Sequence, residues 1–392
     1  MGAALEKLNN MKNGFLDISG LNLTSLPDSP LWKDVKTLYC YNNQLTRLPD
    51  LPNVEVLDCH NNQLTKLPDL PNVTYLYCYN NRLTKLLNLP KVKILNCCNN
   101  QLTKISNLPS AKKLICSRNR LNTLPDLPNI NHLGCNSNRI VKLPDLSNVK
   151  ILQCGGNQLT KLPDLPNVKS LECENNRLTY LPGLPNIKNL SCFNNQIIQL
   201  PELPNIEYLY CHYNKLTKLT NLPNIKTMVC TNNRLINLPD LPNAEHLDCS
   251  YNQLTKLPDL PKVKELNCQN NQLTKLSDLP KVKELNCNNN KLTKLSGLPN
   301  VKFLDCYNNK LSSLPDLSKL KHLYCTNNQL VYKPENRKVF NAIFCLISVQ
   351  KLFKRWRLIT RQQQEKSYQV INQLSEFDSL PEEIKLYIIG FV

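Results

Sequence analysis

Glycine is nearly missing from this chain, with nine in 392 residues, while proline is plentiful at 27. So little glycine excludes a flexible Gly-rich chain, and so much proline predicts turns at regular places. Long apolar runs are missing too. The longest, Val339 to Val349, falls short of the roughly 20 residues that a membrane-crossing helix needs. The first residues carry Glu6, Lys7 and Lys12 and no apolar stretch, so no secretory signal is visible. Glu6 stands where a myristoylation site after Gly2 would need Ser or Thr. The expectation is a soluble intracellular protein. Catalytic signatures are absent as well: there is no P-loop and no G-x-G-x-x-G. The five histidines, His60, His132, His212, His246 and His322, sit in no Ser, Cys or metal signature. Neither an enzyme, a cofactor nor a metal site is expected.

What is present is positive charge and cysteine. A formal net charge of +18 suits nucleic acid, acidic proteins or anionic lipid as partners without selecting one. Of the 18 cysteines, all but Cys98 and Cys345 fall in one register, each 19 residues after the last, from Cys40 and Cys59 to Cys325. Other columns keep the same step. Asn stands three residues after every such cysteine, from Asn43 to Asn328. Leu stands two before, except at Met228. Val, Ile, Ala or Leu stands five before, and Leu or Ile five after. A typical unit, residues 51–69, reads LPNVEVLDCHNNQLTKLPD.

These columns resemble the leucine-rich-repeat signature L-x-x-L-x-L-x-x-N/C-x-L, with Val54, Leu57, Cys59, Asn62 and Leu64 in its places. With an atypical first unit (Leu16, Ile18, Leu23, Leu26), 17 units are read across residues 15–332. The short, proline-marked unit is similar to the arrays of bacterial effectors. Its Asn- and Lys-rich text also resembles repeat proteins of giant DNA viruses that infect amoebae. That likeness implies a host cytoplasm or a virion as the setting.

The columns have a simple physical reading. Leu57 and Cys59 alternate with polar residues, which predicts a short strand with one buried face. Strands of successive units stack in parallel, about 4.8 Å apart. The resemblance implies that Asn62 turns inward and bonds backbone groups of adjacent turns. Pro68 and Pro71 hold the far side extended and bar a helix there. The expected fold is a β-rich (α/β class) leucine-rich-repeat solenoid. It is a curved, right-handed parallel-strand array with little convex helix, plus a small α-helical C-terminal tail. Residues 1–14 read as a lead-in.

Sixteen stacked cysteines raise the question of chemistry. Adjacent Cα atoms about 4.8 Å apart lie inside the disulfide window. However, the side chains of stacked strands run parallel, and no secretion signal supports oxidation. Nor does one column of thiols converge as zinc requires. The reading is therefore a small buried hydrophobe at a tight core position. Cys98 differs, because its alternation points it outward.

The outward positions flank each core cysteine. Two stretches there are aromatic: Tyr39, Tyr41, His60, Tyr75, Tyr77 and Tyr79, then Phe193, Tyr208, Tyr210, His212 and Tyr213. Tyr clusters on a rigid face suit recognition of a protein partner. The alternative is that Tyr prefers strands and stacks on its neighbours. Lysines are columnar too. They recur four before the cysteine (Lys36, Lys93, Lys112, Lys150) and seven after it (Lys66, Lys85, Lys104, Lys142). A nucleic-acid reading would use them as a phosphate track. Acids such as Asp69 after Lys66 and Asp164 after Lys161 offset the second column.

Composition changes at residue 333. Residues 337–361 hold seven basic residues and no acidic one. Val339, Ala342, Leu346, Val349, Phe353 and Trp356 recur at helical spacing, which predicts an amphipathic helix over 333–364 that caps the last repeat. The same helix could instead bind calmodulin or an anionic membrane. In the final segment, 365–392, LPEEI and the isoleucines after it resemble the opening of an F-box. That resemblance implies a ubiquitin-ligase substrate adaptor. The leading expectation is a non-enzymatic scaffold that holds a protein on its concave face.

Overall fold

A computed structural model describes residues 2–330, apart from 87, 296 and 316. Within them, 17 three-residue strands form one parallel sheet, from β1 (Phe15–Asp17) and β2 (Thr37–Tyr39) to β17 (His322–Tyr324). Each strand pairs with the next in the chain. Leu57 lies opposite Leu76, and Leu76 opposite Leu95, so the pairing step equals the sequence step. Only β1 and β2 differ: Leu16 faces Leu38, which takes up the three extra residues of the first unit. The strands coincide with the 17 units read from the columns.

Alternation decides which side is buried. Leu57 and Cys59 are fully buried, and their equivalents along the stack are buried too. Pairing continues past the strand, because the Cys40 N–H donates to the Asp58 carbonyl at 2.8 Å. Two residues after each cysteine the chain turns sharply through the left-handed region. Asn42, Asn61 and Asn80 take φ values of 54°, 52° and 56°. Asn tolerates that conformation better than most residues, and it dominates this column.

The asparagine three after each cysteine turns inward, as the resemblance implied. Asn62 Oδ1 accepts the Leu45 N–H at 2.8 Å, and its Nδ2 donates to the carbonyls of Cys40 (2.9 Å) and Cys59 (3.1 Å). Each Asn therefore ties its own unit to the one before, using backbone groups that no helix or sheet would pair. A second asparagine ladder runs along the proline side. Asn72 Nδ2 donates to the Pro52 carbonyl at 2.9 Å, and Asn186 repeats the bond to Pro166. With these ladders the far side needs no helix. Beyond the first unit the described array has none, and a single 3-10 turn (Pro30–Asp34) stands near its start.

One helix was not expected. Helix α1 (Gly2–Asn9) buries Ala4 and Leu8 over the first unit. Eight residues with two buried positions make too weak a period to read from sequence, so residues 1–14 look like a plain lead-in. No helix among the described residues is long and apolar enough to cross a membrane. The basic segment over 333–364, Cys345 and the F-box-like segment lie outside the described residues.

Candidate functional site

Strand alternation places three residues of each unit on the concave face: those three before, one before and one after the core cysteine. Equivalent residues of successive units lie one strand spacing apart, so like side chains stack.

The first aromatic stretch becomes a continuous patch. Tyr41, His60 and Tyr79 occupy one column and lie nearly parallel, with centroids 4.7 Å and 4.3 Å apart. Tyr39 tilts against Tyr41 at 6.4 Å, and Phe15 meets Tyr39 edge-on at 5.5 Å. Tyr75 and Tyr77 extend it on β4 (Tyr75–Tyr77), with Tyr75 38% exposed. Asp58 stands inside this group. Its Oδ1 lies 2.5 Å from His60 Nδ1 and also accepts the His60 N–H at 3.4 Å. Burial, and then the charge of Asp58, push the Tyr79 phenol up.

The second stretch forms a smaller patch. Phe193 and His212 stack at 4.4 Å, while Tyr208 and Tyr210 stand exposed on β11 (Tyr208–Tyr210). Tyr213 sits apart from the strand face. It occupies the left-handed turn column at φ 53° and touches His212 edge-on at 5.6 Å. Burial pushes the His212 imidazole below its ordinary value, and its Nδ1 has no partner among the described residues. Six units, or about 29 Å of stacked strands, separate Tyr79 from Phe193.

The sequence reading passed over two members of the first patch, Phe15 and Asp58. Both could have been found from register: Phe15 stands three before Ile18, and Asp58 one before Cys59.

All five histidines lie on concave columns. So do Asp17, Asp58, Glu172, Glu174, Asp248, Glu265, Glu284 and Asp305, against one lysine, Lys113. A chain that is positive as a whole thus turns an acidic face inward. Glu174 leans over Gly155, where any Cβ would collide with its carboxylate, and Ser191 Oγ donates to it at 3.0 Å. Burial pushes its carboxyl up.

The lysines four before each cysteine lie on the edge leading into the strands. There the column is interrupted by acids, and Glu207 bridges Lys188 (3.3 Å) and Lys226 (2.7 Å). The compensation inferred for Lys66 with Asp69 takes a different form, because no ion pair joins them among the described residues. Three residues of extended chain span about 9 Å, whereas neighbouring units stand about 4.8 Å apart. The lysine ion pairs therefore form across units.

The ladder cysteines are buried thiols, and burial pushes each of them up, Cys135 to about 12. Cys98 is half-buried between Tyr79 and Ser117 in its column, and burial raises it too. Mass mapping after brief alkylation of native protein should label Cys98 and leave Cys40 through Cys325 protected. The labelling rate should climb as pH rises past 9, because the thiolate is the nucleophile and Cys98 holds its proton longer than a free cysteine. Equal labelling of the ladder would contradict the packing.

Comparison with known proteins agrees with this geometry. The family model for leucine-rich repeats in two copies matches residues 33–72, 71–110, 185–224, 245–281, 261–300 and 280–319. Comparison with curated proteins gives no match. Among solved structures, YopM from Yersinia enterocolitica is 33% identical and superposes with a TM-score of 0.73, over 85% of this chain and 83% of its own. A leucine-rich-repeat protein of Leptospira interrogans is 26% identical over 88% of this chain and 96% of its own, with a TM-score of 0.65. The functional domain of InlJ from Listeria monocytogenes, which includes a cysteine ladder, is 26% identical over 78% of this chain and 69% of its own, with a TM-score of 0.59. The repeat columns, the one-step register of the sheet and the likeness to YopM establish that this chain belongs to the leucine-rich-repeat family.

Proposed function

We propose that this chain is a non-enzymatic scaffold that holds a protein partner on its concave strand face. One observation carries the reading: a sheet locked by backbone ladders presents two aromatic patches, with Tyr75, Tyr208 and Tyr210 still well exposed. Rings already fixed on a rigid sheet lose little freedom on binding and offer large contact area with hydroxyl groups at the rim. Buried Tyr anchors commonly dominate interface energetics.

Replacing Tyr75, Tyr77 and Tyr79 together with Ala should leave the fold intact, since all three project from the face. It should weaken binding of a partner captured by the intact chain by ~30-fold or more, the range of an interface hot spot. Capture followed by titration of the purified partner measures this. Unchanged affinity would remove the patch from the interface.

Nucleic acid fits the concave face poorly, because its columns are acidic; it would have to follow the lysine edge instead. Retention of nucleic acid at low salt, lost steeply as salt rises, would support that reading. The ligase-adaptor reading rests on residues 379–392, outside the described residues.

A further inference from the structure

We propose that the first aromatic patch is a seat for a cationic side chain, an arginine or lysine presented by the protein partner, with Asp58 as its acceptor. The proposal rests on the concave-face reading and narrows it to a ligand chemistry.

Asp58 lies in the column one before the core cysteine, opposite Tyr39 on one side and Tyr77 on the other. His60, two residues on, lies between Tyr41 and Tyr79. One carboxylate is thus framed by four tyrosines.

The carboxylate is only half satisfied by the described residues. Oδ1 is taken by the His60 ring and backbone N–H. Oδ2 has no hydrogen-bond partner among the described residues, and the side chain keeps 21% exposure. No lysine or arginine occupies the concave columns from Phe15 to Cys98; the first is Lys113. A half-covered carboxylate with one open oxygen and no lysine or arginine beside it in the concave columns is completed best by a charged donor, since charge-assisted hydrogen bonds are roughly twice as strong as neutral ones. The ring edges would cover the aliphatic stem of a Lys or Arg, which buries its methylenes and keeps its head at the polar group.

The second patch is the internal contrast. Tyr210 is flanked by Ser191 and Val229 where Tyr39 and Tyr77 flank Asp58. It offers aromatic surface without an acceptor at the matching place, so the two patches should select different side chains. An anion at the first patch would face Asp58 directly, which disfavours phosphate there.

The test uses the full chain and three capped tripeptides: Gly-Arg-Gly, Gly-Lys-Gly and the neutral Gly-citrulline-Gly. Binding is read from the His60 ring resonances, identified with His60→Phe. The arginine or lysine peptide should shift them saturably. Citrulline should bind at least about tenfold more weakly, a difference of ~1.4 kcal/mol. Asp58→Asn should cause a similar loss, although it retains an oxygen for the His60 N–H. Tyr208→Ala/Tyr210→Ala should bind the cationic peptides within about twofold of the original chain. Equal binding of citrulline, an unchanged response in Asp58→Asn, or no saturable response would each overturn the proposal. The citrulline comparison needs no variant, so a misfolded Asp58→Asn would not rescue it. Failure here, with partner capture still dependent on Tyr75, Tyr77 and Tyr79, would remove the cation seat and leave concave-face recognition standing. Loss of that dependence with the peptide response intact would do the reverse.

Discussion

Above about pH 9 the array should come apart over a narrow range of pH. Sixteen cysteines from Cys40 to Cys325 are buried. Burial pushes their thiols up, Cys135 and Cys211 to about 12 and Cys325 to about 11, with neighbouring thiols adding to the rise at many positions. In the unfolded chain each titrates near 9. The protonated thiol is the form the core accepts, so its stabilisation is complete below pH 9 and is lost as pH rises beyond it. Each pH unit beyond costs about 1.4 kcal/mol per thiol, on the order of 20 kcal/mol for the ladder. At roughly 0.05–0.15 kcal/mol per residue, a solenoid of this length has about 15–50 kcal/mol to lose. The transition should therefore finish within about two pH units. Circular dichroism and the ultraviolet absorbance of thiolate, followed together, should change in one step. Thiolate absorbance larger than the two cysteines outside the ladder can give, growing near pH 9 while the dichroism stays native, would show that the ladder is not sealed.

The second large effect belongs to the inward asparagines. Asn157 Oδ1 accepts the Ile140 N–H at 3.0 Å, and its Nδ2 serves the carbonyls of Cys135 and Cys154 at 3.0 and 3.1 Å. Asn157→Ala leaves the buried Ile140 N–H without its acceptor and takes one of two asparagine donors from each carbonyl, because Asn138 and Asn176 still serve Cys135 and Cys154 at 3.1 and 3.0 Å; it should cost about 2 kcal/mol in urea unfolding. Asn157→Asp should cost more. It keeps the acceptor, but it sets a carboxylate against two carbonyls that had been receiving a donor. Asn61 is the control. Its Nδ2 bonds the exposed Asn42 Oδ1 at 2.7 Å, and its left-handed φ of 52° suits glycine, so Asn61→Gly should stay within about 0.5 kcal/mol. Similar losses at both sites would contradict the division between the inner and outer ladders.

The contrast between these asparagines also shows how far the sequence could be read. The inner column was legible because it does not vary after the first unit: each of those units keeps the residue whose amide joins two turns. The outer column holds Arg118, Ser137, Gly156, Tyr213 and Tyr251 among its asparagines. Its demand is on backbone angle, which several residues meet, so identity hides it. The strands were legible from Leu57 and Cys59 alone. Helix α1 was not, since Ala4 and Leu8 gain meaning only from the first unit beneath them. At the candidate site the rings stood out by type, whereas Asp58 did not. One acid among many carries no signal until register places it between Tyr39 and Tyr77. Tyr213 was drawn in by its sequence neighbours, and the turn after Cys211 set it at the rim.

The unbroken 19-residue register has a genetic consequence. The protein text repeats almost in tandem, so whole units can be exchanged without breaking its register. Loss or gain of nineteen codons would return every inward asparagine, buried thiol and left-handed turn to an equivalent neighbour, so the shortened or lengthened product would still fold. Between the two aromatic patches, such an event would change only the span that separates them, by about 4.8 Å each time. Copying errors that would ruin most proteins would here yield a graded set of rulers, from which selection could choose a reach.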